Sequence, residues 1–166
     1  MRALVSYLLA AWLGAALLLA AVVAPAAFAV LPTRTLAGAL VGRVLPVLFV
    51  SGILVGLLAA VAARVTLAGA DPGRLPGLRA ALGVVIVAAC VAAQFVVAPR
   101  IAALRARIGP SVDALPTTDA RRVEFGRLHG LSVAALGVAM LAGGAALVLG
   151  ALPARDGRPA ARTTAR

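Results

Sequence analysis

Four long apolar runs separated by short polar stretches dominate the chain of 166 residues. The first extends from Ala3 to Ala24 and meets Pro25. The second covers Val44 to Ala63, the third Leu78 to Ala98 and the fourth Leu131 to Leu152. A hydrocarbon core of about 30 Å is crossed by roughly 20 helical residues, so each run is long enough to span a bilayer. The pattern predicts an all-α integral membrane four-helix bundle over residues 1–152, with helices at about 3–30, 44–63, 78–98 and 128–152. Residues 153–166 read as a basic, disordered tail with nothing to bury.

The polar stretches carry the punctuation. Leu31-Pro32-Thr33-Arg34-Thr35 breaks the chain after the first run, and a mildly amphipathic lead-in brings it to Gly42-Arg43. Pro46 then falls in the first turn expected for the second helix, where a missing amide costs least. Within that helix Gly52 and Gly56 stand four apart, a spacing that lets a neighbouring helix approach closely. Ala70-Asp71-Pro72-Gly73-Arg74-Leu75-Pro76-Gly77 reads as a turn. Pro25 and Pro99 are expected to end the first and third helices, since a helix end accommodates proline at the lowest cost. Arg100 to Arg107 then reads as a separate basic helix lying at headgroup level, with Ile101, Leu104 and Ile108 on one side and Gly109-Pro110 closing it. Pro116-Thr117-Thr118-Asp119 has the capping residues of a helix start.

Composition narrows the class. An apolar fraction of 63% and a mean hydropathy of +1.09 exceed what a soluble domain buries. The net charge of +11 comes from arginine alone, and the arginines flank the apolar runs. There they serve as topology signals and contacts to anionic lipid headgroups, so the basicity does not call for nucleic acid. They divide eight and eight between the two ends of the bundle, which leaves orientation open. Ala27-Phe28-Ala29 has the small-x-small form of a signal cleavage site, but the apolar run before it exceeds the roughly 7–15 residues of a signal peptide. A retained helix in the inner membrane of a bacterium is the expectation. Cys90, the single cysteine, lies inside an apolar run.

The two halves of the chain echo each other. Leu31-Pro32-Thr33 recurs as Leu115-Pro116-Thr117 and Gly42-Arg43 as Gly126-Arg127, both 84 residues on. Val22-Val23-Ala24-Pro25 recurs as Val96-Val97-Ala98-Pro99, 74 residues on. This implies two repeated helical hairpins related by an axis along the membrane normal, with Gly-Arg as a device at the start of a helix.

Candidate chemistry is sparse. His129, the one histidine, shares a helical face with Phe125, Ser132 and Met140. It reads either as a proton-linked or metal-binding group or as an interfacial histidine held by a hydrogen bond, and its place near the helix start favours the second. His129 and Met140 are about 16 Å apart along a straight helix, too far to share a copper ion with Cys90. Gln94, the polar member of the third run, reads as helix-to-helix glue toward Ser132 or a carbonyl. Asp113, Asp119 and Glu124 form no metal-ligand spacing with His129, and neither a nucleophile elbow nor a phosphate loop is present. No catalytic residue, metal ligand or cofactor-binding residue is assigned, and a non-enzyme is expected.

Several words match a known family. Trp12-Leu13-Gly14, Val23-Ala24-Pro25 with Phe28, Gly42-Arg43 before Pro46, and Pro99 with Ile101, Leu104 and Arg105 are of this kind. The most specific is Phe125-Gly126-Arg127-Leu128-His129-Gly130-Leu131-Ser132. On these the chain resembles the transmembrane protein 205-like family, a domain of unknown function (DUF4149), from Met1 to about Leu152. Relatives often carry an amide on the fourth helix where this chain has Ala135 and Leu136. The resemblance implies a small four-helix membrane protein; its eukaryotic relative is associated with resistance to platinum drugs, and its bacterial members lack an assigned activity.

The sequence therefore points to a non-catalytic interaction or small-molecule-handling module, contacting anionic headgroups through its arginine loops and self-associating through small-residue faces. The competing expectation is a small transporter or metal-handling resistance protein with a site near Pro25, Pro99 and His129. A subunit holding a redox cofactor is a third and weaker reading.

Overall fold

The computed structural model describes residues 2–67, 74–109 and 111–151. Among these there is no strand. The first helical rod comprises α1 (Arg2–Leu18), a π-turn at Leu19–Val23 and α2 (Ala24–Val30). The second is α3 (Arg34–Leu67). The third comprises α4 (Arg74–Val91), a π-turn at Ala92–Val97 and α5 (Ala98–Ile108), and the fourth is α6 (Ala120–Ala151). A 3₁₀ turn at Val112–Ala114 lies in the last connection. Each rod holds a span long and apolar enough to cross a membrane, so the protein is a multi-pass helical membrane protein. The expected tail at 153–166 lies outside the described residues, as does the first half of the expected turn; Arg74 to Gly77 belong to α4.

Pro25 and Pro99 do not end their helices. Proline lacks the amide for its own bond and presses its ring on the carbonyl four residues back. In both places the preceding turn widens to π geometry, with Ala24 N–H donating to Leu19 O and Ala98 N–H to Ala93 O, each five residues back. The rods pass through. Arg100 to Arg107 are thus the end of the third rod and not a separate surface helix. Gly109, at a φ of 90°, stops it and donates its N–H to Arg105 O at 3.1 Å.

The other boundaries are set by capping side chains. α3 starts at Arg34, ten residues before the expected 44, because Thr33 caps it: its Oγ1 accepts the Leu36 N–H at 3.2 Å. α6 starts at Ala120, where Pro116–Asp119 reads as a helix start and ahead of the 128 expected for the fourth helix, because the Asp119 carboxylate accepts the Arg121 N–H at 2.8 Å. Pro46 consequently sits inside α3. Gly42-Arg43 and Gly126-Arg127 lie within continuous helices and do not mark their starts.

The rods form a ring in which α1 and α4 each pack on α3 and α6. The core is made by Leu9, Trp12, Ala16 and Leu19, by Ile86, Cys90 and Ala93, and by Ala139, Ala142 and Ala146, each set at helical spacing, together with Leu48 and Phe49. Trp12 reaches from α1 to α3. Its indole N–H donates to Leu48 O at 2.9 Å. A Cβ at Gly52 would stand 2.9 Å from its ring and 2.8 Å from Cys90 Sγ, and one at Gly143 3.6 Å from the ring. A Cβ at Gly83 would meet Gly56 O at 2.8 Å. The Gly52–Gly56 face is therefore spent on α1 and α4 of the same chain.

Beyond the π-turns the packing changes. α2 stays on α3 and α5 on α6, with at most glancing contact across. The bundle is tight at one end and parted into two helical pairs at the other.

Candidate functional site

The parting holds a cavity of about 610 Å³. One wall is α3, which presents Gly38, Gly42, Pro46 and Phe49 on one face. The opposite wall is α6, with Phe125, His129 and Ser132, and the third rod closes the cavity with Gln94, Ile101 and Arg105. Phe28 adds a ring from α2. The mouth is edged by Arg34, Asp113 and Arg122. Rods of 28 to 34 residues exceed the roughly 20 needed to cross the hydrocarbon core.

Arg105 is the central charge. Its guanidinium carbon lies 5.2 Å from the centroid of the Phe125 ring, a cation–π distance. On its other side two glycines of α3 make room: a Cβ at Gly38 would stand 3.2 Å from Nη2, and one at Gly42 4.0 Å from Nη1. Phe125 stacks in turn on His129, with centroids 6.2 Å apart and ring planes at 3°. Arg105, Phe125 and His129 thus form a tier along one side of the cavity. Among the described residues the ion pairs near it use Asp113, whose Oδ1 is 3.9 Å from both Arg34 Nη1 and Arg122 Nη2. Pairs this long and this exposed contribute little to stability. Arg122 Nη1 also donates to Leu115 O at 2.6 Å, which ties the 109–119 connection to α6 at the rim.

Deeper in, Gln94 lines the cavity, and its Oε1 is buried without a hydrogen-bond partner among the described residues. The expected bond from Gln94 to Ser132 is not made through this oxygen, although both line the cavity. The geometry gave each residue a wall of its own. Among the described residues, no group of three His, Cys, Asp or Glu side chains could hold a metal ion.

The structure sorts the candidates read from the sequence. It gathers Phe28, Gly42, Gln94, Arg105, Phe125, His129 and Ser132 around one cavity. Trp12 is in the core, 4% exposed. Gly14 faces open space, and Pro25, Arg43, Pro99 and Arg127 lie exposed outside the cavity lining. Gly38, Phe49, Arg34, Asp113 and Arg122 also line the cavity, and none of them is among the candidates that the sequence marks. A signal for the first two existed: Gly38, Gly42, Pro46 and Phe49 fall on one helical face once the helix is started at Thr33.

Fold and cavity together define a small polytopic helical membrane protein with a pocket at one end of its bundle. Residues 7–109 match the profile of a family described as Domain of unknown function (DUF4149), and the chain belongs to that family. The match ends before the Phe125–Ser132 word that shapes the α6 wall. No curated protein and no solved structure matches the chain.

Proposed function

We propose that this protein is a non-catalytic membrane module that holds a small molecule in the cavity between its two helical pairs. The observation that carries the reading is the cavity itself. About 610 Å³ lies within the roughly 300–1,000 Å³ of ligand sites, and its wall is apolar with a few converging polar groups. Seven of the residues that the sequence marked line it, although they come from all four rods. The two Val-Val-Ala-Pro words coincide with the two π-turns, which supports an origin of the chain in two repeated hairpins with the cavity between them.

The other arginines of this end would meet anionic headgroups, in the inner membrane of a bacterium. Self-association would have to use faces other than Gly52–Gly56. The test fills the cavity. Gly126 lines it and has nothing within 4 Å of an added Cβ, so Gly126→Phe places a ring there without backbone strain. In nanodiscs a hydrophobic dye should bind the natural chain at one saturable site and lose it in Gly126→Phe. Equal dye binding by both proteins refutes the reading.

The parting of the helical pairs favours a second reading, a transporter in which the pairs rock about their tight end. It requires that His129→Ala abolish a flux across proteoliposomes at unchanged expression; flux unaffected by the substitution removes it.

A further inference from the structure

We infer that the cavity is built for an amphiphile with an anionic head at Arg105 and a hydrogen-bond donor at its far end, met by Gln94. The inference rests on reading the cavity as a ligand site and names what enters it.

Arg105 carries five donors in a planar fork. Its face is taken by Phe125 and its two terminal nitrogens are turned toward the Gly38–Gly42 notch, but the guanidinium has no hydrogen bond or ion pair to any described residue. Because both glycines line the cavity and carry no side chain, the fork of terminal nitrogens keeps room beside it, and such a fork matches a carboxylate or phosphate bidentately. The surrounding charge agrees. Arg34 and Arg122 share the one carboxylate of Asp113 at 3.9 Å each, so the three arginines of the lining leave positive charge uncompensated. At the other end the buried Gln94 Oε1 is an acceptor without a donor, and buried polar atoms of that kind are rare in the absence of a ligand or water.

The two groups are eleven residues apart on one rod, about 16 Å at 1.5 Å per residue. Apolar side chains, among them Leu45, Pro46 and Ile101, line the space between. A bare inorganic anion would satisfy only the upper end. A chain with an acidic head and a hydroxyl or amide tail satisfies both. Such a molecule comes from the bilayer as a lipid or from solution as a free amphiphile, and the head-to-Arg105 chemistry is the same.

The experiment uses the full chain in phosphatidylcholine nanodiscs, titrated with dodecanoate, its ω-hydroxy derivative and dodecylamine, with binding read by native mass spectrometry. ω-Hydroxydodecanoate should bind at one site and more tightly than dodecanoate, while dodecylamine should not bind. Arg105→Ala should weaken binding at least about tenfold, as expected for a lost charge-assisted pair, and Arg105→Lys less. Gln94→Leu should abolish the preference for the hydroxyl. Circular dichroism and elution volume establish that each variant folds, and Arg105→Gln replaces the alanine variant if it does not. Lipid extracted from protein purified from native membranes decides the source. An anionic phospholipid retained by the natural chain and absent from Arg105→Ala identifies a bilayer lipid; no retained lipid with amphiphile binding intact identifies a soluble ligand. Dodecylamine binding as well as the acids, or folded Arg105→Ala binding like the natural chain, overturns the inference and leaves the cavity reading in place. Failure of all three probes overturns the cavity reading itself.

Discussion

The guanidinium of Arg105 and the ring of Phe125 lie 5.2 Å apart, on two helices and twenty positions apart in the sequence. The contact fixes a long, flexible side chain at the wall of a cavity, and that has a measurable consequence. A cation–π contact contributes about 0.5–1 kcal/mol at exposed sites and more when desolvated. Phe125→Leu keeps the apolar bulk and removes the ring face. It should weaken binding of an anionic amphiphile by a factor of about three. Its thermal stability in detergent should stay near that of the natural chain, because Phe125 lies outside the main core.

The glycines divide into those that carry packing and those that do not, and substitution by alanine should separate them. At Gly83 a Cβ would be 2.8 Å from the backbone of α3, and at Gly52 2.8 Å from Cys90 Sγ and 2.9 Å from Trp12. Both substitutions overpack a rigid contact and should cost about 1–3 kcal/mol in unfolding by denaturing detergent. Gly14 and Gly137 have nothing within 4 Å of an added Cβ, and alanine there should be neutral or slightly stabilising, since it relieves a helical glycine.

Trp12 offers a local probe of the tight end. It is the only tryptophan, it is 4% exposed, and its N–H is bonded to Leu48 O. Its emission should be blue-shifted and insensitive to iodide, and binding in the cavity should leave it nearly unchanged. Trp12→Phe removes the bond and part of the ring. Leu48 O still accepts the Ser51 hydroxyl at 3.0 Å, so the loss should stay at about 1–3 kcal/mol.

Much of this architecture is legible in the sequence, and the parts that are not have identifiable causes. The four apolar runs give the four rods because spanning length is a matter of composition. Gly52 and Gly56 announce a close approach, and α4 provides it. The misplacements come from proline. Pro25 and Pro99 read as stops because proline breaks i to i−4 bonding, but a π-turn absorbs each one, and nothing in local composition states that it will. Stopping the third helix at Pro99 took Arg105 out of the bundle and onto the membrane surface. Starting the second helix at Val44 likewise hid the Gly38–Gly42 notch that receives Arg105. Family words mark the site residues other than Gln94, which its polarity marks, but their common cavity depends on those two boundaries.

Asp119 gives the start of α6 a defined acid sensitivity. Hydrogen bonds from the Arg121 side chain and backbone hold its carboxyl at about 2, below an ordinary value of 3.8. A depressed folded value means that the contribution is complete above 3.8 and is lost as pH falls toward about 2. Protection of the Arg121 amide against hydrogen exchange, corrected for intrinsic rate, should therefore decline only across that acidic window. In Asp119→Asn, which keeps the cap and loses the charge, the decline should disappear; its persistence would assign it to another group.

The paired-hairpin arrangement fixes which connections share a side of the membrane. The 31–33 turn follows α2 and the 109–119 connection follows α5, and both lie at the cavity end. Cysteines introduced at Pro32 and Thr118, both exposed, should therefore react with an impermeant maleimide from the same face of sealed vesicles. The natural Cys90 needs no removal, since it is fully buried in the core between Trp12 and Gly52 and should stay silent until the protein is denatured. The sidedness of the vesicles then assigns an orientation that eight arginines at each end leave balanced. Labelling of the two positions from opposite faces would contradict the ring of four antiparallel rods, and with it the cavity they enclose.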